Sequence, residues 1–223
     1  LSAAFVLCWS SGFVGAKLGT QDAGATTLLM WRFLPLAAAL AVFAVYRGRP
    51  AWRSLTPRDL ARQVLIGLLS QSGYLLTVYY AIQLGVSSGT TALIDGTQPL
   101  VAGALAGPLL RQYVSPRQWL GLCLGLGGVA LVTTADAAST TGVAWWTYLV
   151  PFAGMLSLVA ASFHNKRSRT PVTPAVSMTV HCATSAVVFT AAALFTGTAT
   201  PPASGSFWLA TIWLVTLSTF GGY

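Results

Sequence analysis

The sequence predicts an all-α protein that crosses a membrane many times, and three observations carry that expectation. Hydrophobic residues make up 55% of the 223 positions and charged residues 7%, against roughly 25% charged in soluble domains. So few charges cannot coat a water-facing surface. The apolar residues fall in runs long enough to cross a hydrocarbon core, which takes about 20 helical residues. The basic residues, finally, gather in the connections between alternate runs.

Taken in order, the first run covers 1–18. It opens with neither a basic n-region nor a cleavage site, so it reads as a span and not as a signal peptide. Its Cys8, Ser11, Gly12 and Gly15 form a small-residue face that permits close helix approach. The second run, 26–46, encloses Arg32. Thr56-Pro57-Arg58-Asp59 places an N-cap before a proline at the first helical position, which extends the third span, 64–84, back into the headgroup region. The connection near 85–89 is short enough only for a tight turn. The fourth run, 86–110, encloses Asp95 and carries Gly103 and Gly107 as a second packing pair. Spans at 119–135, 145–163, 176–196 and 207–223 follow. The last opens after an uncharged Thr/Pro/Gly/Ser loop at 196–206.

The loops fix an orientation. With the chain start inside, the connections at 47–63, 111–118 and 164–175 share one face. They hold Arg47, Arg49, Arg53, Arg58, Arg62, Arg111, Arg117, Lys166, Arg167 and Arg169, while the other face has Lys17 alone. That positive-inside bias makes the three loops cytoplasmic and assigns the net charge of +8 to topology and lipid headgroups, not to nucleic acid. Trp145 and Trp146 at an outer end, with Trp119, Tyr46 and Tyr113 at inner ends, agree with interfacial aromatic belts.

Enzymatic and cofactor readings find little support. Cys8, Cys123 and Cys182 lie within apolar runs, so neither a disulfide framework nor a metal cluster is indicated. There is no Walker lysine or phosphate-cradling glycine loop. Gly85-Val86-Ser87-Ser88-Gly89 fits G-x-S-x-G literally, but it joins two apolar helices where a nucleophile elbow needs a strand and a positioned His. No cofactor is expected.

The polar residues inside the spans are the candidate site. A charge at the bilayer centre costs roughly 2.5–3.5 kcal/mol even on the mild insertion scale, so Arg32 and Asp95 are expected to face a partner, a cavity or a pathway. Counted from the outer ends they lie about 6 and about 9 residues deep, near 9 and 13 Å at 1.5 Å per residue. They are placed either to pair with each other or to hold the two ends of one zwitterion. Ser87, Thr91, Asp95 and Gln98 fall on one helical face of the fourth span. Ser70, Tyr74 and Thr77, with Gln71 beside them, make a second stripe, and Ser177, His181 and Ser185 a third. His181 is the one histidine within a span and is suited to proton relay. Trp9 and Tyr74 are placed to stack on a solute or close a cavity. Structural pairing and aromatic packing are the competing roles for all of these side chains.

The chain also resembles itself. A shift of 149 residues lays Lys17 on Lys166, Arg32 on His181, Gly73 on Gly222 and Tyr74 on Tyr223, and LSQSGY (69–74) resembles LSTFGGY (217–223). Five spans separate the copies, so equivalent helices run in opposite directions. That is the inverted symmetry by which many transporters present one site to either side. On this reading 1–135 is the first unit and 145–223 the second, which would be completed about 59 residues beyond Tyr223.

These stretches match a known family. WSSGFVGAK (9–17), Arg32-Phe33, Pro99 and SPRQWLGLCLGLGGVALV (115–132) together resemble EamA-type transporters of the drug/metabolite transporter superfamily, most clearly over 1–135. The resemblance implies ten helices as two inverted five-helix repeats around a central cavity. It also implies export of amino acids or related metabolites across a bacterial inner membrane, with protons as a candidate coupling ion. One departure stands out: the family commonly has Glu in an ER-L-S pattern after the fourth helix, where this chain has Gln112-Tyr113-Val114-Ser115. A passive channel and a non-transporting scaffold or sensor are the alternatives of different class.

Overall fold

The computed structural model describes residues 2–47, 52, 55–110, 115–167 and 172–219. Every regular element among them is helical, and five helices are long and apolar enough to cross a membrane. They are designated α1 (Ser2–Asp22), α2 (Ala25–Arg47), α3 (Pro57–Gln83), α4 (Ser88–Asp95), α5 (Gln98–Leu110), α6 (Pro116–Ser139), α7 (Leu149–Lys166), α8 (Pro174–Phe195) and α9 (Gly205–Thr219). The five are α2, α3, α6, α8 and the stretch Trp145–Lys166 that contains α7. Arg49, Arg53, Arg111, Gln112, Tyr113, Arg169, Gly222 and Tyr223 lie outside the described residues.

Local chemistry sets the helix starts. Thr56 caps α3 with a full capping box: its hydroxyl accepts from the Asp59 N–H at 3.1 Å, and the Asp59 carboxylate accepts from the Thr56 N–H at 3.3 Å. Ser115 and Gln118 cap α6 in the same way. Thr56→Ala is expected to lower stability by about 1 kcal/mol, with Thr56→Ser close to wild type, in thermal unfolding of detergent-solubilised full-length protein. Gly85, at φ +101°, ends the α3–α4 turn in the left-handed region that suits glycine. Ser87 in that turn accepts from the Thr90 N–H at 3.0 Å as the N-cap of α4, so the serine of the G-x-S-x-G string serves the helix start.

The fourth apolar run departs from its expected form. In place of one helix over 86–110, α4 stops at Asp95 and α5 starts at Gln98. Thr97 turns its hydroxyl onto the Ile94 carbonyl at 2.6 Å, an alternative backbone partner at the break. Pro99 has no N–H to offer the carbonyl four residues back, so a helical bond is missing across the break. A second local departure is a π-helical turn at Leu68–Gly73 inside α3, with another at Leu214–Thr219 closing the described part of α9.

Packing is organised in three pairs: α1 lies against α9, α2 along α8, and α3 against α7. The close α1–α9 approach uses small residues. A Cβ at Gly12 would meet Ser218 Oγ at 2.7 Å, and one at Gly15 would meet Leu214 at 2.7 Å. Gly103, by contrast, has open space where its Cβ would be, so it is not a packing contact among the described residues. Phe33, Tyr79, Phe189, Phe207 and Leu214 are fully buried where the pairs meet.

Candidate functional site

The helix pairs line a half-open cavity of about 200 Å³. α1 supplies Trp9, Gly12 and Phe13, α2 supplies Arg32 and Phe33, α7 supplies Leu158, and α9 supplies Ser218 and Thr219. From α3 come Ser70, Gln71, Tyr74, Leu75, Val78 and Tyr79. Ser70 and Gln71 stand four and three residues before Tyr74, the spacing that puts helical side chains on one face, and they share the wall with it. Thr77, expected on the same stripe, instead bonds to the Gly73 and Tyr74 carbonyls at 2.9 and 2.8 Å.

Arg32 is the charged centre of this wall. It is 3% exposed and bonds only to neutral hydroxyls among the described residues. Nη1 donates to Tyr79 Oη at 2.6 Å, Nη2 to Thr219 Oγ1 at 2.9 Å and Ser218 Oγ at 3.3 Å, and Nε to Thr219 Oγ1 at 3.2 Å. Thr219 can accept twice because its own O–H donates to the Leu214 carbonyl, five residues back, at 3.0 Å. The guanidinium also lies 5.1 Å from the centre of the Phe33 ring.

Asp95 stands apart from Arg32, and the two form no ion pair. The Trp9 Nε1–H donates to Asp95 Oδ2 at 3.5 Å, the Tyr74 hydroxyl lies within reach of the same carboxylate, and the Trp9 and Tyr74 rings stack at 6.2 Å and 20°. Asp95 is 8% exposed, and its Oδ1 is buried with no partner among the described residues. It lies behind the aromatic pair and is not part of the cavity wall.

Of the polar and aromatic residues singled out in the sequence, the cavity therefore gathers Trp9, Arg32, Ser70, Gln71 and Tyr74. Thr91 is fully buried and bonds to the Ser87 carbonyl of its own helix at 2.9 Å. Gln98 lies beyond the α4–α5 break, half-buried, and is not part of the cavity wall. His181 packs between α8 and α3, its Nε2 at 3.0 Å from Gln63 Oε1, away from the wall. Ser185, one turn further, bonds to Ser72 at 3.2 Å and to the cavity residue Gln71 at 3.3 Å. Sequence reasoning missed Tyr79, Ser218 and Thr219. For Thr219 a signal existed, because the 149-residue shift lays Ser70 on it.

One end of the bundle is tied shut. Thr27 Oγ1 donates to the Thr198 carbonyl at 2.7 Å, Trp31 Nε1 to the Ala199 carbonyl at 3.1 Å, and the Ala25 N–H to Gln83 Oε1 at 2.8 Å. The exposed Asp22 carboxylate accepts from the Ser206 and Ser204 hydroxyls, which together hold its pKa below the ordinary aspartate range. That contact is present above the ordinary value and is lost as pH falls through the lowered one.

The family model for the EamA-like transporter family matches residues 1–134. A probable terminal-alkyne amino-acid exporter of Streptantibioticus cattleyicolor is 25% identical over 144 residues, covering 65% of this chain and 47% of that protein. The uncharacterized transporter YdfC of Bacillus subtilis is 26% identical over 158 residues, covering 70% of this chain and 46% of that protein. The chain thus spans about half the length of the curated relatives it matches. No solved structure gives a significant match.

Proposed function

Because this chain belongs to the EamA-like transporter family, we propose that it belongs to a bacterial inner-membrane carrier that exports amino acids or related small metabolites by alternating access. Its start lies on the cytoplasmic side, as the distribution of Lys and Arg favours. Residues 1–135 form one five-helix unit, and 145–223 begin a second, inverted one. Helix positions support the repeat: shifting α2 by 149 residues lays its first residue on Pro174, the first of α8. The pairing supports it too, since exchanging the units maps the α1–α9 contact onto α7–α3 and α2–α8 onto itself.

The observation that carries the proposal is the cavity, built from both units around a buried Arg32 that has only neutral partners among the described residues. The tied end is the extracytoplasmic one on this orientation, so the arrangement corresponds to a carrier closed to the outside. Asp95, with its unpartnered oxygen, is the proposed proton-coupling carboxylate.

The test is counterflow in proteoliposomes holding the full-length parent protein, with a labelled amino-acid panel, with and without a pH gradient. Saturable exchange of one class is expected. Conduction without saturation or counterflow would make the protein a channel, and neither activity would leave a scaffold or sensor.

A further inference from the structure

We propose that the solute of this cavity is a small carboxylate with an apolar or aromatic body, anchored by Arg32 through the carboxylate and bound without need of an ammonium group. The inference rests on the carrier reading above and narrows its substrate.

Charge decides the polarity of the ligand. Among the described residues of the wall, Arg32 is the sole charged side chain. Its five N–H donors meet Tyr79, Ser218 and Thr219 through four contacts, which leaves one Nη1–H for an incoming acceptor. The Ser218 contact is long, at 3.3 Å, and is the one most easily exchanged for a carboxylate oxygen. A carboxylate accepts from a guanidinium by two parallel bonds, the strongest match either group has. In a low-dielectric interior a cation with only neutral partners gains most from an arriving anion.

The counterpart for an ammonium is withheld. Asp95 is the acidic group nearest to this wall's aromatic pair, and it lies behind Trp9 and Tyr74. A zwitterion seated on Arg32 would turn its ammonium toward neutral oxygens such as those of Ser70 and Gln71. An apolar body has Phe13, Phe33 and Leu158 to pack against.

The experiment uses full-length protein and four probes that share one ring: 3-phenylpropanoate, phenylalanine, phenethylamine and 3-phenylpropanamide. Equilibrium binding in detergent and counterflow in proteoliposomes are both measured. Phenylpropanoate is expected to bind within about threefold of phenylalanine. The amine and the amide should bind at least about tenfold more weakly, the factor that loss of one charged hydrogen-bonded contact produces. Arg32→Gln should remove the same factor for the two carboxylates only, and the probe series on native protein stands even if that variant fails to fold. Preference for phenethylamine, binding of the zwitterion alone, or binding of none of the four overturns the proposal. Carboxylate binding without counterflow upholds it and overturns the carrier reading instead. Counterflow of a non-carboxylate with no carboxylate binding does the reverse.

Discussion

Asp95→Asn is expected to lower pH-gradient-driven export by at least about a hundredfold while leaving counterflow within about tenfold of wild type, a difference near 2.8 kcal/mol in the driven step alone. The expectation follows from how the carboxylate is housed. Asn has the same shape and can still accept from the Trp9 Nε1–H, so the contact that holds the aromatic pair survives. What it cannot do is take up and release a proton. A side chain 8% exposed in an apolar helix, with one oxygen unpartnered, is costly as a purely structural element, because an orphaned buried polar atom forfeits roughly 1–3 kcal/mol. A transport cycle that loads and unloads a proton gives that oxygen a use. Counterflow needs only exchange of loaded carrier, so it persists. Wild-type gradient-driven export by Asp95→Asn would remove Asp95 from the coupling step, and equal loss of both activities would mark it as structural.

The helices themselves were legible because hydropathy is a sum over many residues. α2 and α8 fall within two residues of the expected spans at both ends, and the Thr56-Pro57 cap located the start of α3. The break after Asp95 was hidden by the same averaging. Gly96, Thr97 and Pro99 sit in a run apolar enough to read as one helix, and a periodicity carried through them put Gln98 on the wrong side of a discontinuity. The π turn in α3 has no compositional mark either, and Thr77, just beyond it, bonds to carbonyls of its own helix and does not line the cavity.

Long-range partners were beyond the sequence for a different reason. Depth counting put Arg32 and Asp95 at similar levels, but it says nothing about what lies between two helices at that level. Trp9 and Tyr74 occupy the space, and Arg32 turns to hydroxyls about 47 and 187 residues away along the chain. The neutral character of those partners gives the cavity its net positive sign, and charge counting along single spans could not supply it.

Gly154→Ala is expected to destabilise the protein by about 1–3 kcal/mol, and Gly154→Leu by more, through overpacking at the α3–α7 contact. A methyl group at Gly154 would overlap Thr77 Oγ1 and approach the Tyr74 carbonyl at 3.3 Å. Thr77 cannot swing aside freely, because its hydroxyl is bound to the Gly73 and Tyr74 carbonyls. The neighbouring contact is equally close: Ser157 Oγ donates to the Leu69 carbonyl at 2.7 Å, and a Cβ at Gly73 would lie 2.9 Å from that oxygen. α7 is therefore seated in the π turn of α3, directly behind Tyr74. Relief should come from the partner. Thr77→Ala deletes the overlapping hydroxyl, so the double variant Gly154→Ala/Thr77→Ala is expected to recover about 0.5–3 kcal/mol relative to additivity. Thermal unfolding of the four proteins in detergent measures that coupling. Strict additivity in stability would mean that α7 does not press on Thr77.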